Sequence, residues 1–80
     1  MLSRPLLRRE GHRKISPMAL SPREREVLTL IAGGQKDREI AERLSISYRT
    51  VGRHVTAILR KLDAVNRVEA AVIGVRAGLV

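Results

Sequence analysis

The sequence predicts an all-α fold of four helices, preceded by a flexible basic arm. Three observations carry that expectation. Apolar residues recur at helical spacing in four successive segments, and no segment carries a strand signal. Capping and breaking residues bracket those segments. The 44% apolar content is almost all Leu, Val, Ile and Ala, with Tyr48 the single aromatic residue, whereas sheets usually recruit aromatics.

At 80 residues the chain is one domain at most. A fold of this size buries only about 60% of its unfolded surface, which leaves little room for an enclosed catalytic cavity. Residues 1–18 contain Pro5, Gly11 and Pro17 and show no sustained periodicity, so they are expected to form the flexible arm or a linker remnant. Residues 19–80 are expected to form the folded domain.

Each helix has its own warrant. In the first, Ser21-Pro22-Arg23-Glu24 supplies an N-cap serine, a proline at the first helical position and the glutamate of a capping box. Val27, Leu28 and Ile31 follow at helical spacing, with Leu30 beside them, and Gly33-Gly34 ends the run. In the second, Asp37 is the expected cap and Ile40, Ala41 and Leu44 the buried face. Ser45-Ile46-Ser47 makes the next turn, with Ile46 pointing inward. The third, about Ser47–Leu62, is the strongest: Val51, Val55, Ile58 and Leu62 form one stripe. The fourth is expected to begin at Asn66, with Glu69 completing a second capping box. Val68, Val72, Val75 and Leu79 are expected to face the core, and Gly78 to end the helix.

Composition narrows the functional classes. There are no cysteines, and His12 and His54 lack the paired spacing of a zinc site, so no metal or cofactor is expected. No apolar run approaches the roughly 18 residues of a membrane span, and Leu6-Leu7 is too short for a signal-peptide core. The expected location is cytoplasmic, and no enzymatic activity is expected.

The net charge is +8 and the isoelectric point about 11.5, which suggests a polyanionic partner. Its distribution is more telling. Residues 1–18 hold five Lys/Arg and one Glu; residues 19–80 hold eleven Lys/Arg and seven Asp/Glu, so each part carries +4. Within the second part, Ser47–Leu62 contains Arg49, Arg53, Arg60 and Lys61 and no acid, and everything else cancels. On a helical wheel Arg49, Arg53, Thr56 and Arg60 lie about 140–200° from Val51, opposite the apolar stripe, with Thr50 and Ala57 at the edge. Arginine forks to guanine edges or phosphate, and threonine reaches phosphate or a thymine methyl. An arginine face is commonly just solvated surface. Here it follows a short helix and a three-residue turn, which is the layout of a helix-turn-helix with double-stranded DNA as its partner.

The stretch Leu20-Ser21-Pro22-Arg23-Glu24-Arg25-Glu26-Val27-Leu28, then Glu39-Ile40-Ala41, Thr50-Val51, His54, Ile58 and Lys61-Leu62, resembles the LuxR/FixJ/NarL-type helix-turn-helix over about residues 20–79. The resemblance implies a motif at roughly residues 38–57, with the third helix as the recognition helix and the fourth as the dimerisation helix. It implies a bacterial transcriptional regulator, typically an output domain of a response regulator or quorum-sensing receptor, with RNA polymerase as a further candidate partner.

Three features depart from that family's pattern. The lysine or arginine usual after the Thr-Val pair is Gly52 here, which removes a DNA contact and costs about 1 kcal/mol of helix propensity relative to alanine. Arg53 is the residue placed to compensate. The usual serine and asparagine at the start of the second helix are Lys36 and Asp37; Asp37 is expected to take over capping and Lys36 to meet phosphate. Third, no receiver or sensing domain is readable before the module, so neither phosphorylation nor a small-molecule signal is readable from these residues.

The expected DNA-binding set is therefore Lys36, Arg49, Thr50, Arg53, Thr56 and Arg60. His54 borders the apolar stripe and is expected to pack, and Tyr48 to pack against the second helix. On the fourth helix, Ala70, Ile73, Gly74 and Ala77 lie opposite the expected core stripe. Their apolar character there predicts a homodimer interface, and two-fold pairing would place half-sites about 34 Å apart. Arg4, Arg8, Arg9, Arg13 and Lys14 are expected to belong to a solvated tail, with phosphate or minor-groove contact the lesser reading.

Three other readings compete with this one. A sigma-factor DNA-reading region shares the Leu-Ser-Pro-Arg-Glu-Arg-Glu opening, although the later His54, Ile58 and Lys61-Leu62 spacing argues against it. A protein-interaction module working through the fourth helix, with weakened DNA binding, would suit Gly52. A membrane-surface role for the arm is weaker still, since no large apolar face accompanies it.

Overall fold

The computed structural model describes residues 19–80, and the predicted basic arm lies outside the described residues. Four helices follow one another: α1 Pro22–Ala32, α2 Asp37–Leu44, α3 Tyr48–Leu62 and α4 Arg67–Arg76. Among the described residues there is no strand.

α1 begins as its sequence dictates. The Ser21 hydroxyl accepts the Glu24 N–H at 3.1 Å, and the Glu24 carboxylate accepts the Ser21 N–H at 2.9 Å. Two orphan donors are thereby satisfied at once. The helix closes at Gly33, and Gly34 then takes φ +87°, a left-handed conformation that glycine adopts without strain. The turn between α2 and α3 is made by Ser45 in the left-handed region, after which Ile46 N–H bonds Ala41 C=O at 3.0 Å and the Ile46 side chain packs on the core. Ser47 caps α3 through the Thr50 N–H, at 3.0 Å.

Val27, Leu28, Ile40, Val51, Ile58, Leu62 and Ala70 are completely buried, with Leu20 and Ile31 nearly so. α1 packs against both α3 and α4, while α2 rests mainly on α3. One helix of the motif is thus anchored directly to the scaffold and the other through it. Val55, Leu30, Ala41 and Leu44, all expected inward, pack half-buried against the same cluster.

α4 is turned relative to expectation. Ala70 and Gly74 are buried and Ile73 is half-buried against the core, while Val68, Val72 and Val75 are 69%, 43% and 59% exposed. Of the four residues placed on the outer face, only Ala77 is there. The reason is steric. α4 crosses Leu28 so closely that a Cβ built on Gly74 would stand 2.9 Å from Leu28 Cδ2 and 3.5 Å from Val80 Cγ1. Small side chains must face inward at such an approach, and the valines are displaced to solvent. Leu79, expected inward, does pack there, and its N–H bonds Gly74 C=O at 2.8 Å beyond Gly78.

Two helix starts also differ. Asn66 is the cap of α4, accepting the Glu69 N–H at 2.8 Å, and Arg67 is the first helical residue; Glu69 reaches back to Val65 N–H rather than to the cap. At α2 the cap position is Lys36, whose ammonium has no acceptor to offer. Glu39 accepts the Lys36 N–H at 2.7 Å, and Asp37 is the first helical residue. Asp37 lies one position inside the cap, and its Oδ1 accepts from Arg67 Nη1 at 2.7 Å instead.

Candidate nucleic-acid interface

α3 divides lengthwise. Val51, Ile58 and Leu62 are sealed against α1 and α2, whereas Arg49, Arg53, Thr56 and Arg60 are exposed at i, i+4, i+7 and i+11. Among the described residues no ion pair engages Arg49, Arg53 or Arg60, so their guanidinium groups are available to a ligand. Each offers five donors in a planar fork suited to phosphate or to a guanine edge.

The remaining predicted contacts are placed differently. Thr50 is half-buried, and its hydroxyl shares a hydrogen bond with the Ser47 hydroxyl at 2.8 Å, so it helps to build the cap of α3. Lys36 is exposed and lines the same open groove as Tyr48, at the start of α3. Tyr48 does not pack against α2 as expected; it is 64% exposed. It lines the open groove together with Asp37, Arg38 and Glu39 at the start of α2 without being covered by them. Gly52 is half-buried, with nothing within 4 Å of where a Cβ would stand. The gap left by the missing side chain is open space.

Lys61 was counted with the charge of the α3 segment, but it turns inward. Its Nζ donates to Glu24 Oε1 at 2.9 Å and to the Ala19 carbonyl at 3.3 Å. Glu24 is the one buried charge among the described residues, 7% exposed. Burial pushes its carboxyl up, yet the hydrogen bonds from Lys61 and Ser21 N–H and the charges of Lys61 and His54 outweigh this and hold it below the ordinary carboxylate value. The same carboxylate therefore starts α1 and ties it to the far end of α3. His54, half-buried, lies close enough to act on it. Sequence reasoning had the capping box but not this pair, since nothing local joins positions 24 and 61.

No described helix is long and apolar enough to cross a membrane, and no cluster of His, Asp or Glu among the described residues could hold a metal. What α3 presents is a convex, cationic, rod-like surface with short side chains between the arginines. Its shape and charge match the major groove of B-DNA, which is about 12 Å wide.

Comparison with known proteins identifies the family. The family of bacterial regulatory proteins described as luxR (GerE) matches residues 18–73. The chain is 45% identical to the transcriptional regulatory protein LiaR of Bacillus subtilis (strain 168) over 74 residues, covering 92% of this chain and 35% of LiaR. It is 51% identical to the nitrate/nitrite response regulator protein NarL of Escherichia coli (strain K12) over 53 residues, covering 66% of this chain and 24% of NarL. It is 46% identical to the transcriptional activator protein SolR of Ralstonia nicotianae over 65 residues, covering 81% and 28%. The chain thus spans about a third or less of the length of these curated relatives. With the four-helix architecture, the capped motif and the arginine face already in place, these matches establish that the chain belongs to the LuxR family of bacterial regulatory proteins and carries its DNA-binding helix-turn-helix.

Proposed function

We propose that this domain serves a cytoplasmic transcriptional regulator by laying α3 in the major groove and pairing two copies through α4. The observation that carries the first half is the division of α3 into a sealed apolar side and a side of three arginines unpaired among the described residues. Arg49, Arg53, Thr56 and Arg60 share the base-edge and phosphate contacts. Lys36, exposed beside the start of α3, meets the backbone, and Thr50 acts chiefly by fixing the helix cap.

The dimer surface is the valine face of α4, not the Ala70 and Gly74 side. Val68, Val72 and Val75 fall at i, i+4 and i+7, and Val65 just before the helix is 81% exposed. A self-complementary apolar strip of this kind suits an isologous two-fold contact. Two copies so paired would read half-sites about one helical turn apart. RNA polymerase is the partner such a regulator would meet at a promoter.

The test is a salt titration of affinity for duplexes selected from a random pool. Log affinity is expected to fall linearly with log salt at about −0.9 per phosphate neutralised. A slope near zero, or failure to enrich any sequence, would remove the DNA-reading role. A chain that stays monomeric at high concentration would remove the role of α4.

A further inference from the structure

We infer that Tyr48 holds the DNA backbone: its phenol, with the Lys36 ammonium and the Arg38 guanidinium, forms a clamp for one phosphodiester on the strand that passes the start of α2. The inference rests on the reading of α3 as the helix in the major groove and adds a sequence-independent contact to it.

A helix in that groove meets phosphates along its flanks as well as base edges on its outward side. Tyr48, Gly52, Val55 and Leu59 fall at i, i+4, i+7 and i+11, each one position before Arg49, Arg53, Thr56 and Arg60. They form the flank between the arginine side and the sealed stripe. Gly52, Val55 and Leu59 carry no polar side chain, so the Tyr48 hydroxyl is the one side-chain donor of that flank. A longer side chain at position 52 would lean back toward the helix start, over Tyr48. Glycine leaves open space there and the phenol uncovered.

The surroundings suit an amphipathic ring. Tyr48 is 64% exposed and lines an open groove whose walls include the apolar Ile31 and Ala71 beside the charged start of α2. A tyrosine that is apolar along its body and polar at its tip fits such a mixed surface once a ligand covers it.

The charges in this groove favour an anion. Its lining holds three cations, Lys36, Arg38 and Arg67, against two carboxylates, Asp37 and Glu39. Asp37 is matched by Arg67 at 2.7 Å, and the Glu39 carboxylate accepts the Lys36 N–H at 2.7 Å. Among the described residues neither Lys36 nor Arg38 has an ion pair, and both are exposed. A phenol and two cations are thus left for an outside ligand where the first helix of a helix-turn-helix crosses the DNA backbone. An acidic protein segment would meet the same charges, but the flank runs directly into the arginine side of α3, and that continuity favours DNA.

The test uses the full chain on a duplex selected from a random pool and on a shuffled duplex. Y48F should weaken binding to both by a similar factor, about three- to tenfold, because a phosphate contact reads no sequence. Its salt slope should stay that of the wild type, since a phenol displaces no counterion, whereas K36A and R38A should each make the slope shallower by about 0.9. The three side chains are exposed, so melts should be unchanged. Duplexes with one phosphate at a time replaced by a neutral methylphosphonate locate the contact. At one linkage the wild type should lose about fivefold or more, and the double variant K36A/Y48F less than about twofold, with the losses at other linkages kept. Y48F binding within about 1.5-fold of the wild type, or a wild-type phosphate profile in the double variant, would overturn the inference. So would a Y48F loss confined to the selected duplex, which would make Tyr48 a base contact. A wild type that enriches no sequence and shows no salt slope would remove the reading of α3 and the clamp with it, and that is seen before any variant is made.

Discussion

Lys61→Met tests whether the α1–α3 tie is a structural linchpin. Removing the ammonium leaves the Glu24 carboxylate, its side chain only 10% exposed, with the Ser21 N–H as its remaining donor among the described residues. Breaking a fully buried pair from one side costs about 3–5 kcal/mol. Lys61 is 30% exposed and water reaches the site from that side, so the loss here should be nearer 1–3 kcal/mol. For a domain of this length that lowers Tm by about 5–20 °C. Glu24→Gln should cost less, about 1 kcal/mol, because the freed ammonium can turn to solvent. The double variant should cost at least about 1 kcal/mol less than the two single losses combined. Urea denaturation followed by circular dichroism measures all four proteins. The pH dependence has a definite sign. A carboxyl whose folded value lies below the ordinary 4.5 contributes stability that is complete above that value and is lost as pH falls through the lowered one. Wild type should therefore lose this contribution below about pH 4.5, and Glu24→Gln should lack that part of the acid sensitivity. A Lys61→Met loss under about 0.5 kcal/mol, or zero coupling in the cycle, would mean that this pair does not hold α1 to α3.

Other substitutions probe the remaining surfaces. Gly74→Leu forces a side chain into Leu28 and Val80 and should destabilise by about 1–3 kcal/mol in thermal melts; a neutral result would place Gly74 on the outside after all. Val72→Glu should leave the melt nearly unchanged yet yield monomers in sedimentation, whereas unfolding would show that this face is core. Gly52→Lys meets open space, regains about 1 kcal/mol of helix propensity and adds a cation, so DNA affinity should rise several-fold; a loss would mean that the backbone must approach DNA at that point.

Much of this was legible because local chemistry and tertiary demand agree. The α3 stripe could be read from Val51, Val55, Ile58 and Leu62 alone, since the opposite side is polar and one orientation wins. The same contrast separated Arg49, Arg53, Thr56 and Arg60. α4 offered no such contrast: both its sides are apolar, and the larger residues misleadingly marked the core. Close approach to Leu28 decided the matter through Gly74, a distance that no sequence pattern carries. Asp37 was misread for a related reason. A carboxylate beside a lysine looks like a cap, but the helix starts one residue earlier and Asp37 is left inside it, where it meets an arginine 30 positions away. Lys61 and Glu24, 37 positions apart, were hidden in the same way. Tyr48 was expected to pack against α2, but it lines an open groove beside the start of that helix and stays 64% exposed.

If the outward side of α3 is the DNA-reading surface, single alanine variants along it should show so without ambiguity. Fluorescence anisotropy on one selected duplex should show Arg49→Ala, Arg53→Ala and Arg60→Ala each weakening binding by about 5–100-fold, about 1–3 kcal/mol, with unchanged melts. Arg23→Ala, which removes the same charge from α1, where it pairs with Glu26, should weaken binding by less than about threefold. Equal, small effects at all four positions would contradict the account, because binding would then follow net charge rather than the face of one helix.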